Sequence, residues 1–118
     1  MKKLANIGLW VLQALLVVPF ASAGGAKLLG AGRGVWAAVF RRYGYPDGFS
    51  LVVGAVELLG AAALLVPRFA TYAAGALIVV MIGAGITHAR HNEEGRIVVN
   101  LVLIALLAVV AWARRPRQ

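Results

Sequence analysis

The sequence predicts an all-α integral membrane protein, an up-and-down bundle of four transmembrane helices with a short interfacial helix between spans 1 and 2. Three observations lead there. Of 118 residues, 62% are hydrophobic and 14% charged, with mean hydropathy +0.86; a soluble domain is about 45–50% apolar and about 25% charged. The apolar residues gather into four long, continuous runs that do not alternate, which favours helices over barrel strands. Basic residues, the source of a formal charge of +8, flank those runs as membrane insertion and anionic headgroups require. One four-helix domain over residues 1–118 is expected.

Several classes drop out at once. Disorder needs low hydrophobicity, and nucleic-acid binding needs a basic–aromatic surface that this chain does not offer. With no cysteine, disulfides, thiolate metal sites and iron–sulfur clusters are excluded.

A spanning helix needs about 20 mostly apolar residues, within about 17–25. Span 1 is expected over residues 4–29, apolar to Ala23 with a helical pattern that continues to about Gly30. Its start also reads as a secretory signal peptide, with Lys2, Lys3, Pro19 and an Ala21-Ser22-Ala23 cleavage site. An apolar stretch longer than an h-region of about 7–15 residues, with Gln13 in its middle, favours retention. Val35, Trp36, Val39 and Phe40 then recur at helical spacing before Arg41, Arg42 and Tyr43. That suits a helix lying in the interface, an ordinary loop being the alternative. Gly44, Pro46 and Gly48 supply a turn into span 2, residues 48–66, which carries one acid, Glu57. Pro67 and Arg68 separate it from span 3, residues 69–88. A polar stretch leads to span 4, residues 97–113, which is uncharged and stops at Arg114.

Four spans place both termini on one side. Lys2, Lys3, Arg68, Arg114, Arg115 and Arg117 would lie there, against Lys27, Arg33, Arg41, Arg42, Arg90 and Arg96 opposite. The positive-inside count ties. Because the terminal lysines and arginines closely flank the first and last helices, both termini are expected in the cytoplasm, the membrane being a bacterial inner membrane.

Glu57 is the residue to explain first. It lies about 13 Å into span 2 at 1.5 Å per residue, where a charge costs about 2.5–3.5 kcal/mol. It must be paired, protonated or facing a wet cavity, and its small neighbours Gly54, Gly60 and Ala61 direct it into the bundle. A proton-handling or ligand-binding carboxylate and a purely structural one are both open readings. Lys27 is the candidate partner: Gln13, Leu16, Phe20, Gly24 and Lys27 follow steps of three and four along one stripe. Lys27 either reaches down to Glu57 or snorkels to the headgroups. Met81, Ala84, Gly85 and His88 form a second stripe, and Asn100 lies about one turn inside span 4. Connectivity brings Lys27, His88 and Asn100 to one face, with Glu57 and Gln13 deeper, as a polar pocket. His88, His91 and Glu93 imitate a metal motif, but a polar loop needs such residues anyway, and no metal site is expected. Both histidines sit at one helix end, which disfavours haem.

The order of signals resembles the DoxX-like family of small four-helix membrane proteins. Gly24-x-x-Lys27-Leu28, Gly44-Tyr45-Pro46 and Gly54-x-x-Glu57-Leu58-x-Gly60-Ala61 carry the likeness, followed by an Ala/Gly-rich span with Met81 and Ala84. The resemblance implies a four-span bundle, a retained first helix, and Lys27 and Glu57 as a shared site. Similar proteins include membrane subunits of thiosulfate–quinone oxidoreductases, components of other oxidoreductase complexes, and assembly chaperones. The first functional expectation is therefore a small subunit or assembly partner of a membrane protein complex, or a homo-oligomer. The second is a quinone-linked oxidoreductase component in which Glu57 handles protons, and the third a small transporter or lipid-binding protein. No cofactor of its own is expected, quinone being the one candidate, and whether the chain is an enzyme is left open.

Overall fold

A computed structural model describes residues 2–116, so Arg117 of the charge count lies outside the described residues. Among these residues the protein is all-α, with five helices and no strand: α1 (Lys2–Leu28), α2 (Gly30–Arg42), α3 (Phe49–Ala63), α4 (Ala70–Arg90) and α5 (Glu94–Ala113). Helices α1, α4 and α5 are long and apolar enough to cross a membrane; α3 is a shorter apolar helix.

The expected second span to residue 66 leaves the helix at Ala63. Pro67 has no N–H and disfavours helical geometry at Val66. The chain therefore tightens, with Leu65 donating to the Ala62 carbonyl and Val66 to that of Ala63. Helix α5 begins three residues before residue 97, with acidic Glu94 in its first turn, where the helix dipole favours negative charge. Between α1 and α2 the chain breaks at extended Leu29 and reverses at Gly30, whose φ of +62° suits a residue without Cβ.

Packing follows the small residues. Helix α1 lies mainly against α3 and α4 mainly against α5. A Cβ on Gly24 would fall 2.7 Å from the Gly54 carbonyl oxygen, and one on Gly54 2.7 Å from the Lys27 Cβ. That close approach is what glycine permits between membrane helices. Gly60 similarly receives Leu77 of α4. The buried residues of α1 are Gln13, Leu16, Phe20, Gly24 and Lys27, a single stripe. Leu16 and Phe20 meet Leu64, Leu77 and Leu107 in a dry core. Outside it, Ile7, Val11 and Leu15 of α1, Ile82 and Ile86 of α4, and Leu101 and Val102 of α5 are exposed. Apolar side chains on this scale, facing outward, face lipid.

At the end of the bundle near Pro67, fully buried Gln13 ties three helices together. Its Nε2 donates to the Leu64 carbonyl at 2.6 Å, and its Oε1 accepts from Arg114 Nε at 2.9 Å. Arg114 also donates Nη1 to Asn6 at 2.8 Å and lies over Trp10. Arg114→Ala orphans the Gln13 oxygen, and a loss of about 1–3 kcal/mol is expected, read as a lower unfolding midpoint in detergent.

Candidate functional site

Toward the opposite end of the bundle α3 and α4 enclose a cavity of about 490 Å³. Val52, Val53, Val56 and Glu57 of α3 form one wall, and Val79 to His88 of α4 the other. Trp36 and Phe40 of α2, with Tyr43 and Tyr45 just after it, cover it, while Arg96 and Asn100 approach from α5. Val52 and Val79 line the cavity and are also 58% and 69% exposed. The cavity therefore reaches the lipid-facing surface between α3 and α4.

Four of the five residues singled out in the sequence meet here: Lys27, Glu57, His88 and Asn100. Gln13 does not, because it precedes Lys27 by about 21 Å of helix at 1.5 Å per residue. Lys27 Nζ lies 2.8 Å from Glu57 Oε1, both side chains being buried. The contact is a buried ion pair. On its other side Nζ sits 4.2 Å from the centre of the Trp36 ring, a cation–π contact strengthened by desolvation. Lys27 thus turns inward rather than snorkelling. Asn100 donates Nδ2 to the Met81 carbonyl and to Met81 Sδ, each at 3.3 Å.

A latch that the sequence reading missed holds the cover down. Tyr43 Oη donates to Glu93 Oε1 at 2.7 Å, and His88 Nδ1 meets the same oxygen at 2.9 Å. A carboxylate only accepts, so Nδ1 carries the proton. Thr87 donates to the Gly83 carbonyl, so Tyr45 Oη must donate to Thr87 Oγ1. His91 packs against Tyr43 with the rings tilted, and its Nδ1 bonds the Thr87 carbonyl. Only the crowding of Tyr43, Tyr45, His88, His91 and Glu93 around two turns signalled this. Among the described residues no three His, Cys, Asp or Glu side chains gather as a metal site.

The hydrogen bonds from His88 and then Tyr43 hold the Glu93 carboxyl below its ordinary value. Burial, then the bond to Glu93, raises the Tyr43 phenol. The signs are opposite. Glu93 stabilises the fold above the ordinary carboxylate range, and this is lost as pH falls through its lowered folded value. Tyr43 stabilises below the ordinary phenol range, and this is lost as pH rises through its raised folded value. The latch is expected to hold between about pH 5 and pH 10. Unfolding midpoints measured from pH 7 downward should fall in the native chain and fall less in Glu93→Gln.

The model of the DoxX-like family matches residues 11–110, most of the chain. The chain belongs to that family. No curated protein and no solved structure matches it. The matched region contains every residue of the cavity, and membership establishes this DoxX-like protein as a small integral membrane protein, as its three long apolar helices also indicate.

Proposed function

We propose that this DoxX-like protein binds a lipid-soluble ring molecule of the quinone class, as the membrane subunit of a redox complex whose partner supplies the electron carrier. In this reading α3 is the fourth span, its Val52 and Leu59 facing lipid, and α2 lies in the interface. One observation carries the reading. A mostly apolar cavity that reaches the lipid-facing surface ends on a buried ion pair. Ligand sites have this form, apolar walls with a few convergent polar groups. A quinone supplies reversible two-electron, two-proton chemistry when bound. The chain's own residues have three tasks: the aromatic cover excludes water, Val52 and Val79 leave room for a tail, and Glu57 holds or releases a proton beside Lys27.

Extraction in mild detergent, then mass spectrometry of the retained proteins and lipid-soluble molecules, tests the proposal. A redox partner or a bound quinone is the expected result; a non-redox partner with no ring molecule overturns it in favour of an assembly role. Glu57→Gln separates the same readings. Turnover of the complex is lost if Glu57 handles protons. An assembly subunit instead loses stability alone, by about 3–5 kcal/mol because the Lys27 ammonium is left buried without its carboxylate, and what remains assembled keeps its turnover.

A further inference from the structure

We infer that the Pro67 end of the bundle, remote from the cavity, binds the phosphate of an anionic lipid, with Arg114 at the centre of the site. A half-buried charge without a counter-charge carries the inference. Arg114 is half-buried and gives Nε to the Gln13 oxygen and Nη1 to the Asn6 oxygen, both neutral amides. Its Nη2 is buried with no acceptor. Among the described residues the ion pairs are Lys27–Glu57, Arg41–Asp47 and His88–Glu93, all toward the α2 end. The chain has four acids, Asp47, Glu57, Glu93 and Glu94. Every one lies toward that same end, so no acidic side chain reaches Arg114. A charge drawn out of water calls for a partner, and here the partner must come from outside the chain.

Further cations stand around it. Lys2, Lys3, Arg68 and Arg115 are exposed at this end. Thr71 of α4 donates to the Ala111 carbonyl of α5 at 2.9 Å, which sets the turn carrying Arg68 beside the end of α5. Basic residues divide evenly between the two ends, but acids offset them only toward α2, so the uncompensated charge collects here. Three guanidiniums are backed by rings: Arg114 lies 5.1 Å from the Trp10 centre, Arg115 4.2 Å from Trp112 and Arg68 4.8 Å from Phe69. Cation–π contacts hold the charges at the level of the rings, and tryptophan favours the headgroup layer. Guanidinium donors there match phosphate oxygens in geometry. Trp112, Tyr72 and Phe69 are themselves exposed, so the fitting occupant carries apolar chains below its phosphate. A lipid offers both; a free anion offers only one.

Brominated lipids quench tryptophan at short range, and Trp36→Phe leaves Trp10 and Trp112, both at this end. The test reconstitutes that full-length variant in vesicles of equimolar phosphatidylglycerol and phosphatidylcholine, with one lipid or the other brominated. Phosphatidylglycerol is expected to bind beside these rings about fivefold more tightly or better, the factor set by one basic residue near a membrane surface. Arg68→Gln with Arg115→Gln, both exposed positions, should lower the preference with the fold intact. Adding Arg114→Gln should bring it close to parity. Equal quenching by the two lipids overturns the site, and so does a preference undiminished by the three substitutions. Loss of the preference when inorganic phosphate replaces chloride at equal ionic strength overturns the lipid as occupant in favour of a free anion.

Discussion

Lys27→Met is expected to lower the stability of the bundle by about 3–5 kcal/mol, the cost of leaving one member of a buried ion pair without the other. Glu57 is then a carboxylate enclosed at the cavity floor, with no hydrogen-bond donor to replace the ammonium. Trp36 also loses the cation beneath its ring. Replacing both partners, as Lys27→Met with Glu57→Leu, removes the charges together and should recover most of the loss. Unfolding in mixed micelles across the double-mutant cycle measures the coupling. A double variant no more stable than Lys27→Met would show that the ion pair is not what holds this region.

Gly24→Ala is the second large effect expected, a loss of about 2–3 kcal/mol or more from forced separation of α1 and α3. The added methyl would lie 2.7 Å from both the Gly54 carbonyl oxygen and the Leu58 amide nitrogen. Those are backbone atoms of a helix interior and cannot step aside. Gly60→Ala meets Cγ and Cδ2 of the Leu77 side chain at 2.9 Å, and a side chain shifts more readily than helix backbone, so its effect should be smaller. Comparing the two unfolding midpoints checks that order. Because Lys27 follows Gly24 by one turn, the first variant should also disturb the ion pair, visible as altered Trp36 fluorescence in a Trp10→Phe, Trp112→Phe background.

What could be read in the sequence was what a single helix decides. The stripe from Gln13 to Lys27 follows from helical periodicity alone, and its five members are the buried residues of α1. Glu57 announced a need for a partner because a charge at that depth is costly, and small residues at Gly24 and Gly54 marked the face. Contacts between helices were less legible. Gln13 shares its stripe with Lys27 but serves the far end of the bundle, since a stripe fixes direction around a helix and says nothing of what each turn meets. The fold-back of α2, which sets Trp36 over Lys27 and Tyr43 against Glu93, depends on the reversal at Gly30. Loop geometry of that kind has no periodic signature. The end of α3 at Ala63 was masked by apolar residues 64–66, which hydropathy cannot tell from helix.

That early end has a consequence for the surrounding bilayer. At 1.5 Å per residue the fifteen residues of α3 rise about 22 Å, against about 40 Å for the twenty-seven of α1. In the proposed four-span arrangement, α3 falls short of a hydrocarbon layer about 30 Å thick. The turn from Leu64 to Phe69 must then meet acyl chains, and the Leu64 carbonyl is protected there by Gln13, as backbone at membrane depth requires. Lipids beside α3 must compress while those beside α1 do not. Such hydrophobic mismatch costs only fractions of a kcal/mol per Å, yet it acts on one flank of the protein alone. The molecule should therefore tilt, gather shorter-chain lipids along α3, and partition into thinner membranes when offered a choice.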